Sequence, residues 1–155
     1  MQKILFRGIS TLTLDGEYGA YIRFKAADDK IYSAIAPEVD DGNHLLNDIY
    51  TVKEETIGQW TALYDKNMKK IFSGDILKDE KGKLHVVCRV PGGFSLQSTS
   101  GYRDNIVRFY NQLSDTKVLM WVRDSTEVVG NIFENAKLLK ETEYAGAEKQ
   151  KKKKG

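Results

Sequence analysis

The chain has 155 residues, a formal net charge of +2 and a single cysteine, Cys88. A length of this order suits one domain that buries about 68–70% of its unfolded surface; one cysteine excludes an intramolecular disulfide and fits a reducing cytoplasm, and no N-terminal apolar run is long enough for a signal peptide or a membrane span. The charge is uneven: Lys149, Lys151, Lys152, Lys153 and Lys154 stand against Glu148, which leaves everything before residue 148 about 2 negative and excludes a basic folded body.

KILFR at 3–7 reads as a short strand, and TLTL at 11–14 alternates as a half-buried strand would. Asp15-Gly16 then marks a turn. Residues 18–25 alternate again, with Tyr21 and Arg23 on one face and Ile22 and Phe24 on the other. Asp28-Asp29-Lys30 closes toward IYSAI at 31–35, which predicts a small antiparallel meander. APEVDDGN at 36–43 is a loop by composition, and Leu45-Leu46 suits one helical turn capped by Asn43. A calcium loop needs oxygen ligands at alternate positions and a distal glutamate; Asp40-Asp41-Gly42-Asn43 supplies only a fragment, so a solvated turn is expected.

The densest run of strand and turn signals is TIGQWTALYDKNMKKIFSGDIL at 56–77. Ile57 and residues 60–63 read as one strand, 71–77 as the next, and Asp65-Lys66-Asn67-Met68 as their connection. Gly74-Asp75 predicts a sharp bend that serves packing.

Farther on, Leu84, Val86, Cys88 and Val90 share a strand face with His85, Val87 and Arg89 on the other; the Cys88 face is expected to be buried and His85 partly exposed. Three residues apart on a strand, His85 and Cys88 point oppositely and cannot share a zinc ion. Pro91-Gly92-Gly93 reads as a hairpin turn, since a phosphate-cradling loop needs a longer glycine pattern entering a helix. Ile106, Phe109, Tyr110 and Leu113 fall at helical spacing and predict a helix over about 103–113. Tyr102, Arg103, Arg108 and Tyr110 also fit an aromatic-basic surface for nucleic acid, although scattered Tyr and Arg more often pack and line a rim. KVLMWV at 117–122 reads as a core strand or the buried side of an oligomer contact, 126–131 as the last barrel strand, and Asn135 as the cap of a helix over 136–140. From residue 142 periodicity is lost, and the lysine run reads as a disordered tail.

The run at 56–77, an early Phe6-Arg7 and VVGNIFEN at 128–135 together resemble the YopX family of phage and prophage proteins. The family pattern usually has Gly where Ala62 and Met68 stand, Glu where Ser73 stands and Pro where Ala136 stands. Met68 costs roughly 1 kcal/mol or more in an Asn-Gly type of turn, so a longer or bulged turn is expected. Losing Pro at Ala136 only frees the first turn of the last helix. The resemblance implies a mainly β protein with an SH3-like barrel, encoded by mobile elements, and carries over no catalytic or binding residue.

The expected layout is a single domain over 1–141, with an N-terminal strand region, a barrel over about 52–133, one or two short helices, and the tail at 142–155. Neither histidine lies in a motif with a nucleophile, carboxylate or metal ligand, so the chain is expected to be non-catalytic, with no cofactor and no metal. The function read from this is an interaction or self-assembling module of a bacterial host's cytoplasm that meets an unknown protein partner or itself. The alternative is a nucleic-acid-binding module that uses the barrel surface and Lys149, Lys151, Lys152, Lys153 and Lys154.

Overall fold

A computed structural model of the chain describes residues 3–37, 49–98 and 116–139. These residues are mainly β, in two antiparallel sheets, with an α-helix at Thr116–Ser125 and helical residues again at 136–139. They fall into two compact units, residues 1–60 and 61–155.

In the first unit, β1 (Phe6–Ile9), β2 (Gly16–Lys25), β3 (Ile31–Pro37) and β4 (Tyr50–Thr51) are followed by a 3₁₀ turn at Glu54–Thr56 and the start of β5 (Gly58–Tyr64). Their pairing order is β4-β3-β2-β1-β5, with Phe6 opposite both Gly19 and Gln59. This is the meander expected from the alternation at 18–25 and 31–35. Ser10 also bridges Val52, and Lys53 N–H donates to the Ile9 carbonyl at 2.9 Å, so the end of β4 is tied to β1 as well as to β3. Ala34, Ile35, Ala36, Val52 and Leu5 are buried; each larger aliphatic contributes about 1.5–3 kcal/mol.

The second unit holds the end of β5, then β6 (Lys70–Phe72) beside it, β7 (Asp75–Lys78), β8 (Leu84–Val90), β9 (Gly93–Ser98), α1 (Thr116–Ser125) and β10 (Glu127–Asn131). The last four strands pair in the order β10-β7-β8-β9. Ile71, Leu77, Val87, Leu96 and Val122 form the core, with Leu63, Phe94, Trp121 and Val128 packed on it. The bend expected at Gly74-Asp75 divides the run at 71–77 into β6 and β7: Gly74 has φ +92, and a Cβ there would come within 2.9 Å of the Phe133 ring.

Asp65 ties this unit together. Its side chain is fully buried; Oδ1 accepts the N–H of Asn67 and Lys69, while Oδ2 accepts the N–H of Val128 in β10 at 2.9 Å. The loop that it closes is three residues, Lys66-Asn67-Met68, with Met68 left-handed at φ 62. That is the longer turn expected where Met replaces Gly, and Ala62, the other such position, is left-handed too, at φ 68. At the far end of β10, Asn131 N–H donates to Asn135 Oδ1. Both N–H groups therefore bond side chains rather than a neighbouring strand. Asn135 stands directly before the helical residues 136–139, where the cap of a helix over 136–140 is expected; its carbonyl accepts Leu138 N–H, and its amide oxygen turns back to β10.

Several expectations change. The described strands form no closed barrel. KVLMWV lies in α1, not in a strand: Val118, Trp121 and Val122 fall at i, i+3 and i+4 and turn inward, while Lys117, Met120, Arg123 and Asp124 turn out. Six residues were too short a window to separate a two-faced strand from this stripe. TLTL at 11–14 is a loop rather than a half-buried strand, because Ser10 turns its hydroxyl onto the N–H groups of Leu12 and Thr13. The Cys88 face of β8 is not the sole buried face: His85 and Val87 are buried, Val86 on the Cys88 face is buried as well, and Cys88 itself is half-buried. Trp121 packs edge-on to the buried His85 ring at 5.3 Å. The helix expected at 103–113, the turn after Asn43, the Asp40-Asp41 loop and the lysine tail lie outside the described residues.

Candidate interaction surface

Large apolar side chains are exposed unevenly along the described residues. In the first unit Ile4, Leu12, Leu14, Tyr18, Phe24, Ile31 and Ile49 are exposed; in the second, Met68 and Met120. Single exposed hydrophobics are ordinary on a protein surface, so the informative ones are those that the local bonding holds in place.

The loop at 10–15 displays the most exposed of them. Leu12 is 85% and Leu14 59% exposed. Five bonds hold the loop: Ser10 N–H to the Asp15 carbonyl, Leu14 N–H to the Ser10 carbonyl, Leu12 and Thr13 N–H to Ser10 Oγ, and Asp15 N–H to Thr13 Oγ1. Thr11 ties it to β4 through Thr51. Leu14 is left-handed at φ 63, a conformation that costs a side-chain-bearing residue roughly 1–2 kcal/mol. Strain of this kind persists where the surroundings over-determine it, and here it fixes two leucines pointing to solvent.

At the opposite end of β2, the β2–β3 hairpin carries Phe24 stacked on Tyr32 at 5.9 Å, with Ile31 exposed beside them. Tyr32 donates its hydroxyl to Asp28 Oδ2 at 2.6 Å; this bond, aided by Lys30 N–H on Oδ1, holds the Asp28 carboxyl below its ordinary range and raises the Tyr32 phenol. Arg23 reaches Glu54 at 3.7 Å and Lys25 reaches Asp29 at 3.1 Å, both as exposed pairs worth little.

The second unit contains one cluster with chemical character. Asp79 accepts Lys81 and Lys83 N–H on Oδ1 and His85 Nε2 on Oδ2 at 3.0 Å, with both side chains buried. Burial works against the Asp79 carboxylate, yet the bonds from His85, Lys83 and Lys81 outweigh it and leave the carboxyl below its ordinary range. His85 Nδ1 is buried with no hydrogen-bond partner among the described residues. The Asp79 carboxylate can only accept, so Nε2 is the donor in this bond. The arrangement locks the turn at 79–83 onto β8.

Cys88 points away from His85, and burial pushes its thiol up, which disfavours the thiolate. Among the described residues no group of three or more His, Cys, Asp or Glu is placed to hold a metal ion, and no helix is long and apolar enough to cross a membrane. The speculative nucleic-acid contacts, Lys149, Lys151, Lys152, Lys153 and Lys154, lie outside the described residues, as do Tyr102, Arg103, Arg108 and Tyr110. Sequence reasoning missed Leu12 and Leu14 because their alternation imitates a strand. The available signal was a serine followed by Thr-Leu-Thr-Leu running straight into Asp-Gly, which leaves no room for a strand end.

The family model described as YopX protein matches residues 7–140. No curated protein matches the chain. Among solved structures, the crystal structure of protein EF1440 from Enterococcus faecalis is similar over 90% of this chain and 99% of its own, with 22% identity and a TM-score of 0.51. At that identity the likeness speaks for the fold alone.

Proposed function

The chain belongs to the YopX family, and we propose that it is a non-catalytic accessory protein of phage and prophage, working in the cytoplasm of the bacterial host as a protein-interaction module. The observation that carries this reading is the rigid loop at 10–15, whose two leucines are held out to solvent at a conformational cost. Preorganised apolar anchors of this kind suit binding, because little ordering remains to be done on contact. The reading includes an SH3-like second unit: the strand order β10-β7-β8-β9, with the last strand returning beside β7, supports it.

The test places a benzophenone side chain at position 12 of the full chain and irradiates expressing bacteria, with the same group at exposed position 81 as reference. A discrete protein adduct at 12, lost when Leu14→Ser is added and absent at 81, is the expected result. Equal or absent labelling at both positions overturns the reading. Fluorescence anisotropy with labelled single- and double-stranded DNA and with RNA, using the full chain and one ended at Gly146 at two salt concentrations, addresses the nucleic-acid alternative. Binding that survives truncation and moderate salt would replace the protein-interaction reading.

A further inference from the structure

Beyond naming a module, and resting on that reading for its consequence, we propose that Asp15-Gly16 is a modification site: the pair rearranges spontaneously to isoaspartate in the folded chain and thereby undoes the loop at 10–15. The rearrangement needs a carboxyl group free to react, a free N–H on the next residue, and no side chain there to obstruct ring closure. Among the described residues Asp15 alone has all of these. Its side chain is exposed, makes no hydrogen bond or ion pair among the described residues, and is followed by glycine. The other described aspartates have bonded carboxylates: to backbone N–H groups at 65 and 75, to Tyr32 and His85 at 28 and 79, and to Lys25 and Arg123 at 29 and 124. None of them precedes a glycine.

The alternation of the antiparallel ladder says where the Gly16 N–H points. Trp60 N–H donates to the Leu5 carbonyl, so Leu5, Arg7 and Ile9 direct their backbone groups away from β2. Ile9 bears this out, since its N–H goes to Thr56 Oγ1 and its carbonyl accepts Lys53 N–H. Ser10 faces β2 instead and donates its N–H to the Asp15 carbonyl at 2.9 Å. Gly16, opposite Ile9, then falls in a non-hydrogen-bonded pair and turns its N–H away from β1. On that side the ladder with β3 reaches only to Gly19, opposite Pro37. The Gly16 N–H has no partner among the described residues.

The chemistry consumes nothing that the chain lacks. Gly16 N gives up its proton and attacks Asp15 Cγ; a Cγ–N bond forms, and the carboxyl hydroxyl takes up that proton and leaves as water. Water then adds to either carbonyl of the succinimide ring. Opening at Cγ restores aspartate, whereas breaking the original peptide bond gives isoaspartate, whose backbone runs through Cβ and Cγ. The bond from Ser10 N–H assists the first step, because it stabilises the charge that the peptide group carries once its nitrogen is deprotonated.

Isoaspartate lengthens the backbone at the point where the loop rejoins β2 and leaves the former carbonyl as a carboxylate on a side branch. The closing bond from Ser10 and the pairing of Ile9 with Gly16 then cannot both be kept. Leu14 loses the surroundings that hold it left-handed at φ 63, and relief of that strain favours collapse of the display. The apolar anchors thus carry a one-way timer, with newly made molecules competent and old ones not.

The experiment incubates the full chain at neutral pH beside the same chain in urea and follows tryptic peptides by chromatography and mass spectrometry. Trypsin separates Asp15-Gly16 from Asp41-Gly42, because Arg23 and Lys30 lie between them. Isoaspartate at 15 should accumulate in the folded chain at no less than about one-third of the rate in urea, since the fold leaves both reacting groups unprotected. A chain lighter by one water should precede it. Gly16→Ala should slow the conversion severalfold and keep the fold, because a Cβ there meets only the Tyr18 ring, at 3.6 Å or more. Amide exchange at Ser10 and Leu14, read by NMR, should become faster once the site has converted. Conversion in the folded chain slower than that third, or unchanged exchange at Ser10 and Leu14 after conversion, overturns the proposal. A position-12 adduct with a stable Asp15 would leave the module and remove only its timer; conversion without an adduct would remove the module and leave the site.

Discussion

The turns at 65–69 and 79–83 share one backbone and differ in what they hold. In each, the first residue is an aspartate whose N–H donates to the carbonyl of the fifth, and whose carbonyl accepts the N–H of the fourth. In each, Oδ1 collects the N–H groups of the third and fifth residues at 2.8–2.9 Å. The fourth residue is left-handed in both, Met68 at φ 62 and Gly82 at φ 81. Only the second oxygen departs: that of Asp65 reaches 63 residues along the chain to Val128, and that of Asp79 reaches His85 on the next strand. One carboxylate oxygen thus builds a hairpin, and the other decides whether the turn is local furniture or a long-range tie.

Removing the two carboxylates should separate these roles most clearly. Asp65→Ala strands three backbone N–H groups at a fully buried site and should cost about 3–5 kcal/mol, against about 2–3 for Asp79→Ala, in urea unfolding. Equal losses would show that the tie to Val128 contributes nothing beyond the turn. Exchanging the fourth residues comes next. Gly82→Ala should destabilise by about 1 kcal/mol, and Met68→Gly should stabilise by about 0.5–1 kcal/mol, since glycine relieves the left-handed cost but loosens the unfolded chain. If Met68→Gly destabilises, the exposed Met68 side chain has a contact that outweighs its backbone strain. Ala62→Gly, read in the same way, should also stabilise by about 0.5–1 kcal/mol.

The smallest effect is in pH. The Asp79 carboxyl lies below its ordinary value in the folded state, so its contribution is present in full above about pH 4 and is lost as pH falls through the folded value. Denaturant midpoints measured from pH 5 downward should drop less steeply in Asp79→Asn than in the unsubstituted chain. Identical slopes would remove Asp79 from the acid response.

These turns also mark how far the sequence could be read. The connection at 65–68, the bend at Gly74 and the strand at 84–90 follow from turn chemistry and alternation, which are local. That Met68 sits where a glycine is usual pointed to one strained turn position, whereas the left-handed Ala62, in the same situation, was not read from the sequence. What stayed hidden depends on partners distant in the chain. His85 is buried against Trp121, and the second oxygen of Asp65 bonds Val128, both far along the chain. Asp79 itself drew no notice, although Asp-Glu-Lys-Gly-Lys is a turn sequence with its glycine at the left-handed place. The leucines of the candidate surface were legible as apolar and illegible as exposed, because exposure there rests on one serine hydroxyl folding the chain away from a strand.

The side-chain bonds that end β10 have a bearing on behaviour at high concentration. A bare strand margin is a growth point, able to add strand after strand from other molecules into a fibre. Asp65 and Asn135 occupy the N–H groups of Val128 and Asn131 with a carboxylate and a carboxamide, so these two donors of β10 are not offered to another molecule. Loss of Asp65 should therefore be felt twice: as a weaker fold in dilute solution, and as turbidity in concentrated solution, where the uncovered margin of one molecule can seed on the next.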